Sequence, residues 1–293
     1  MTIISILIAF ALCHFVRELG QFRSHEWLGT WVDFSNNTFS EVPGWENVTG
    51  FLFILLAPPL VLVLLYLALE SLLGPAGVFL LALAVLIYCF GPRDLDSDVA
   101  KVVKAEDEEE RESAISNLLG RKPPEDEEGC KAAMIDAVFL ESLRRWFAVI
   151  FWFAVLGIVG ALLYRMLDWL QESELNITDN QRDLVRGMQQ IMDWPAAQLT
   201  TLALAIATDF DSVYAAWKKY HDQQGHGLFE GDNGFLLASA RTIVLSGHAA
   251  RDGYADQLEG PLASLQQAID LAWRVLGVWL TVLALLLLID VIS

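Results

Sequence analysis

The residues with the means to do chemistry stand at the edges of apolar runs. Asp136, Glu141, Arg144 and Arg145 precede a stretch, 146–164, that holds no formal charge; Arg165 and Asp168 follow it, and Asp193 comes just before a further apolar segment. On a helix Glu141 reaches Arg144 or Arg145 at i+3 or i+4, and Arg165 reaches Asp168 at i+3. If Asp136, Glu141, Arg145, Arg165 and Asp193 converge on one cavity, they form a polar pocket suited to an enzyme working on a membrane-embedded substrate. The competing reading is anchorage. Arg144, Trp146, Tyr164 and Trp169 mark the two ends of the apolar stretch, where cations and amphipathic rings favour the headgroup region.

Other chemistry leaves little trace. There is no Walker-type phosphate loop and no GxGxxG after a strand, and HGLFEGDNG reads only as a loop. His221 and His226, with Asp222 and Glu230 nearby, are five apart, a spacing that does not set two imidazoles on one helix face, and Gly225 argues for a loop; no metal is expected. Ser246 and His248 have no carboxylate at an interpretable spacing, and no GxSxG elbow exists. No cofactor is implied.

The elements that must position these residues are membrane helices. The chain has 293 residues, 55% of them apolar, yet 37 are acidic and 19 basic, so grease and charge must be segregated along it. Six apolar segments stand out: 3–16, 51–69, 78–90, 147–163, 196–207 and 275–292. About 20 residues cross a hydrocarbon core roughly 30 Å thick, so the second, fourth and sixth span alone, while the first and fifth have the length of interfacial, re-entrant or core helices. If all six cross, one side receives 16 of the 19 basic residues and the other keeps Arg165, Arg182 and Arg186. Because cytoplasmic loops hold the Lys and Arg excess, this predicts an outside N-terminus and three cytoplasmic regions. Pro58 and Pro59 lie well inside the second segment and predict a kink there.

Three regions follow: 1–91 with N-terminal membrane helices, 92–146 as an acidic helical cytoplasmic region, and 147–293 as a C-terminal membrane part with amphipathic helices. The acidic run 106–112 reads as a solvated face or a site for a basic partner. Leu184, Met188, Ile191 and Met192 have helical spacing and approach Pro195, which suits the first turn of a next helix. A net charge of −18 excludes nucleic acid as the main partner. Cys13, Cys89 and Cys130 are odd in number and widely spaced, which argues against a disulfide framework. The opening MTIISILIAFALCHF lacks a basic leader and cleavage site, and reads as a retained helix.

The segments FGPRDLDSDV, ESLRRWFAVIFWFAVLGIVGALLYR and QQIMDWPAAQLTTLALA resemble the AmpE family of bacterial inner-membrane proteins. That resemblance implies an all-α, multi-pass inner-membrane protein with four to six transmembrane or re-entrant helices. It also implies a non-enzymatic sensor or modulator of β-lactamase induction and cell-wall recycling. Its partners would be the lipid bilayer, a membrane or cytoplasmic protein, and a cell-wall-derived or other small ligand. At a greater distance, Gly157, Gly160, Tyr164, Arg165, Trp194, Pro195, Ala196, Leu199 and Thr200 are similar to positions of the CobD/CbiB cobinamide-phosphate synthases, which join an amino-alcohol arm to a corrinoid. Those synthases carry a Glu-Asn-type stretch where this chain has Glu141 followed by Ser142 and Leu143, and a Ser-Pro-Asn-type stretch where it has HDQQGHGLFEGDNG. The second likeness therefore implies the architecture, with a ligase or transferase as the alternative function.

Overall fold

The computed structural model describes residues 2–15, 25–90, 95–171, 175–224, 232–246 and 261–292. The elements are α1 Thr2–Phe15, α2 Glu26–Phe39, α3 Val48–Cys89, α4 Leu95–Lys104, α5 Glu108–Leu119 and α6 Glu127–Ser142. A π-helical turn, Leu143–Phe147, leads into α7 Ala148–Leu170, followed by α8 Asp179–Ala207, α9 Phe210–Gln224, α10 Gly234–Leu245 and α11 Pro261–Ile292. Among the described residues no strand occurs. Three helices, Val48–Cys89, Glu127–Leu170 and Leu262–Leu286, are long and apolar enough to cross a membrane, and the protein is an all-α polytopic membrane protein. The chain divides into two compact units: Met1–Pro92 with Ala148–Asp193, and Arg93–Phe147 with Trp194–Ser293.

In the first unit α3 shows why the solvent must be hydrocarbon. Phe51, Ile54, Leu55, Pro59 and Leu62 are buried at three- and four-residue spacing, while Leu52, Leu56, Leu60 and Leu64 are exposed. A helix apolar all round, with one stripe covered by protein, needs an apolar medium on the other.

The interruptions in α3 and α7 are the same device used twice. The non-helical residue inside α3 is Gly74 (φ 61°, ψ −151°), and inside α7 it is Gly157 (φ 66°, ψ −150°). Three residues later a second glycine meets the preceding arm. A Cβ on Gly77 would stand 3.1 Å from the Leu69 carbonyl oxygen, and one on Gly160 would collide with the Trp152 carbonyl oxygen. Residues eight apart in a straight helix are separated by about 12 Å, so the chain folds back at each Gly-x-x-Gly. Segments 51–69 and 78–90 are thus the two arms of α3. The kink expected at Pro58 and Pro59 falls instead at Gly74, because a proline's own φ is helical whereas the residue before Pro75 is pushed out of the α region, and glycine takes φ > 0 without steric cost. Pro195 also differs from expectation. It lies inside the continuous helix α8 and does not open a new one.

In the second unit, α5 and α6 are each capped by an aspartate. Asp107 accepts from the Glu110 amide at 2.7 Å, and Glu108, Glu109 and Glu110 fill the first turn of α5, where carboxylates favour the exposed amides. The acidic run is therefore largely a helix start. Asp126 caps α6 through the Gly129 amide, also at 2.7 Å. Inside, Leu95, Val99 and Val102 of α4, Met134, Ile135 and Val138 of α6, and Leu265, Ile269 and Leu276 of α11 are buried.

The foldback predicts a contrast among glycines. Gly157→Ala should cost about 1–3 kcal/mol through backbone strain alone, since nothing lies within 4 Å of its Cβ position. Gly160→Ala should destabilise through collision, and Gly187→Ala, in helix with open space around it, should be neutral or stabilising. Thermal unfolding of the three variants in detergent reads the order directly.

Candidate functional site

Arg165 sits on the second arm of α7 and is 1% exposed. A charge so deeply placed has to be paired and hydrogen-bonded. Its Nε donates to the carbonyl of Cys89 at 2.7 Å and its Nη1 to Asp168 Oδ2 at 2.7 Å. Cys89 is the last residue of α3, whose terminal carbonyls have no partner within the helix, so the guanidinium closes that helix end. Around it lies an aromatic wall. The Trp169 ring is 6.0 Å from the guanidinium carbon, stacks on His25 at 5.2 Å and meets Tyr88 edge-on at 5.3 Å, and Trp27 donates to the Tyr88 hydroxyl. The Trp169 indole N–H is buried and has no hydrogen-bond partner among the described residues.

One residue earlier, Tyr164 points into a second polar cluster of the same unit. Its hydroxyl donates to Asp193 Oδ1 at 2.6 Å, and Gln189 Nε2, one helical turn before Asp193, donates to the same oxygen at 3.0 Å. Tyr164, Gln189 and Asp193 are all buried. Nearby, the Trp152 indole donates to the Met192 carbonyl at 2.9 Å. The two neighbours on α7 thus anchor different elements, Arg165 the end of α3 and Tyr164 the middle of α8.

In the second unit the π-helical turn presents Arg145. Its guanidinium bonds Glu141 at 2.7–2.8 Å and Asp98 of α4 at 3.2 Å, and Lys101 approaches Asp98 at 3.4 Å. The turn also orients Trp146 onto Trp273, 5.1 Å away, whose indole donates to Asp96 at 2.7 Å. Asp136 faces Arg241 of α10 at 2.8 Å.

The five residues singled out in the sequence therefore occupy four places. Arg165 and Asp193 lie in the first unit with separate partners, Glu141 and Arg145 share one network in the second, and Asp136 joins Arg241. Trp146, Tyr164 and Trp169 are packed inside their units. Asp98, Gln189, Arg241 and the ring of His25, Trp27 and Tyr88 were not anticipated. Gln189 carried a usable signal, its i,i+4 relation to Asp193; Asp98 and Arg241 are far away in sequence and carried none. His221 packs on Trp217 with ring centres 4.2 Å apart, while His226, Glu230, His248 and residues 91–94 of the FGPRDLDSDV stretch lie outside the described residues.

Comparison with known proteins gives the class. The family described as CobD/Cbib protein matches residues 6–175, and this chain belongs to it. The protein is similar to the cobalamin biosynthesis protein CobD of Brucella suis, 27% identical over 205 residues that make up 64% of this chain and 61% of the relative. It is similar also to the CobD of Brucella anthropi, 25% identical over 217 residues, 64% of this chain and 66% of the relative. The chain thus matches a little under two thirds of each relative's length. No solved structure matches it. These findings correct two expectations. The assignment to AmpE is not supported, and the role of a non-enzymatic modulator of β-lactamase induction gives way to the family of cobalamin biosynthesis proteins.

Arg165→Lys keeps the charge but loses the fork that reaches Cys89 and Asp168 together. It should lower stability by about 1–3 kcal/mol, measured by thermal unfolding in detergent. An unchanged melting temperature would mean that the guanidinium does not close α3.

Proposed function

We propose that this protein is an enzyme of cobalamin biosynthesis in a bacterial inner membrane, a ligase or transferase that joins an amino-alcohol arm to a corrinoid. The observation that carries the reading is the family match over residues 6–175, which takes in both foldbacks and the Tyr164, Arg165, Asp168 and Trp169 arm. It replaces the non-enzymatic reading, since the matching relatives are named for cobalamin biosynthesis. The chemistry of the first unit is compatible with such a substrate. A large ring with a polar fringe suits aromatic walls that retain a free hydrogen-bond donor, here Trp169 with His25 and Tyr88 beside it. Arg165 and Asp168 act as positioning residues, holding the Trp169 arm against the end of α3.

The test is complementation. A cobalamin-synthesising bacterium lacking its own CobD should regain cobalamin-dependent growth when it expresses this protein, and the purified full-length chain should convert a corrinoid acceptor and an amino-alcohol phosphate into a joined product detected by mass. Failure of both, with the protein inserted in the membrane at normal abundance, would contradict the proposal. Retention of the corrinoid without a joined product would show a family fold that binds and does not ligate.

A further inference from the structure

The second unit holds an open cavity of about 760 Å³ walled by α6, α9 and α10. Among its lining residues are Lys131 of α6, Lys219 of α9 and Arg241 of α10, against one acid, Glu128. In a chain with 37 acidic and 19 basic residues this local balance is reversed. Three cations from three helices are brought together by the packing of the unit and by no single amphipathic face. Tyr220, Gln223 and Thr242 add polar groups to the same walls. The Tyr220 side is fixed: its hydroxyl donates to Asp232 at 2.5 Å, and its ring lies against Gly234, where a Cβ would collide.

Two of the cations are paired with acids that do not line the cavity, Lys131 with Glu127 at 2.7 Å and Arg241 with Asp136 at 2.8 Å. Lys219 is exposed and pairs with no acid among the described residues. A singly charged anion would have to compete with those acids, whereas a phosphate group offers several oxygens and more than one charge, and accepts from lysine and the arginine fork together. The volume lies within the range of small-molecule pockets. We propose that this cavity is a phosphate-binding site gripped by Lys131, Lys219 and Arg241. It stands apart from the corrinoid reading, because Lys219 and Arg241 lie beyond the residues matched by the family. The phosphate comes from a soluble phosphorylated molecule or from a lipid headgroup, and the experiment separates the two.

Full-length protein in detergent, stripped of lipid, is titrated calorimetrically with pyrophosphate. The same protein in phosphatidylglycerol nanodiscs is released into native mass spectrometry to count retained lipid. Lys131→Gln and Lys219→Gln are compared in both arms with Lys218→Gln, an exposed neighbour absent from the cavity wall. Lys219 is exposed, so its variant should fold. The expected result is one saturable site, weakened about tenfold by Lys219→Gln, as for loss of one charged hydrogen bond, and little changed by Lys218→Gln. Binding in the lipid-free arm assigns a soluble phosphate, and binding confined to the nanodiscs assigns the headgroup. Absence of saturable binding in both arms, or equal weakening by Lys218→Gln and Lys219→Gln, would overturn the proposal.

Discussion

A charged or polar side chain removed from water must find its partners inside the protein, and in a unit surrounded by hydrocarbon there is no second chance at the surface. The first unit depends on that constraint at Arg165. The guanidinium satisfies the open carbonyl end of α3 and the Asp168 carboxylate at once, so two helices that apolar packing alone would leave free to slide are tied at a defined register. Dispersion and burial supply most of the contact between α3 and α7, but they are not directional; the hydrogen bonds select one arrangement.

That tie is possible only because both helices are broken. A straight helix of 42 residues would be about 63 Å long, far beyond a hydrocarbon core of roughly 30 Å. The foldbacks at Gly74 and Gly157 shorten each element into a longer and a shorter arm. The second arms carry the polar residues: Tyr88 and Cys89 after Gly74, and Tyr164, Arg165, Asp168 and Trp169 after Gly157. The second glycine of each pair lets the arms approach more closely than any side chain would allow. Glycine placement thus governs where the arms end, and the arm ends determine which polar groups meet.

The sequence made the membrane class plain, because uncharged runs such as 146–164 admit few other readings. It also exposed the local pairs, since Glu141 with Arg145 and Arg165 with Asp168 are fixed by helical spacing. The breaks were misplaced. Pro58 and Pro59 are the stronger helix breakers by composition, yet a glycine before a proline can leave the helical region at less steric cost. The partners of Arg145 and Asp136 were hidden, since Asp98 and Arg241 are brought to them only by tertiary packing. On function, short segments led to one family and the extended match to another. Gly157, Gly160, Tyr164 and Arg165 carry the likeness to the CobD/CbiB synthases, and it is that likeness the match over 6–175 upholds.

The central physical claim is that polar groups of the first unit are paired with one another in the interior, and Tyr164 with Asp193 is the pair that can be tested from both sides. A double-mutant cycle of Tyr164→Phe and Asp193→Asn, with unfolding followed in bicelles, measures it. The structure predicts a coupling of about 1 kcal/mol, in the range of buried polar pairs in membrane proteins. Additivity within roughly 0.3 kcal/mol would contradict it, since the two side chains would then not meet.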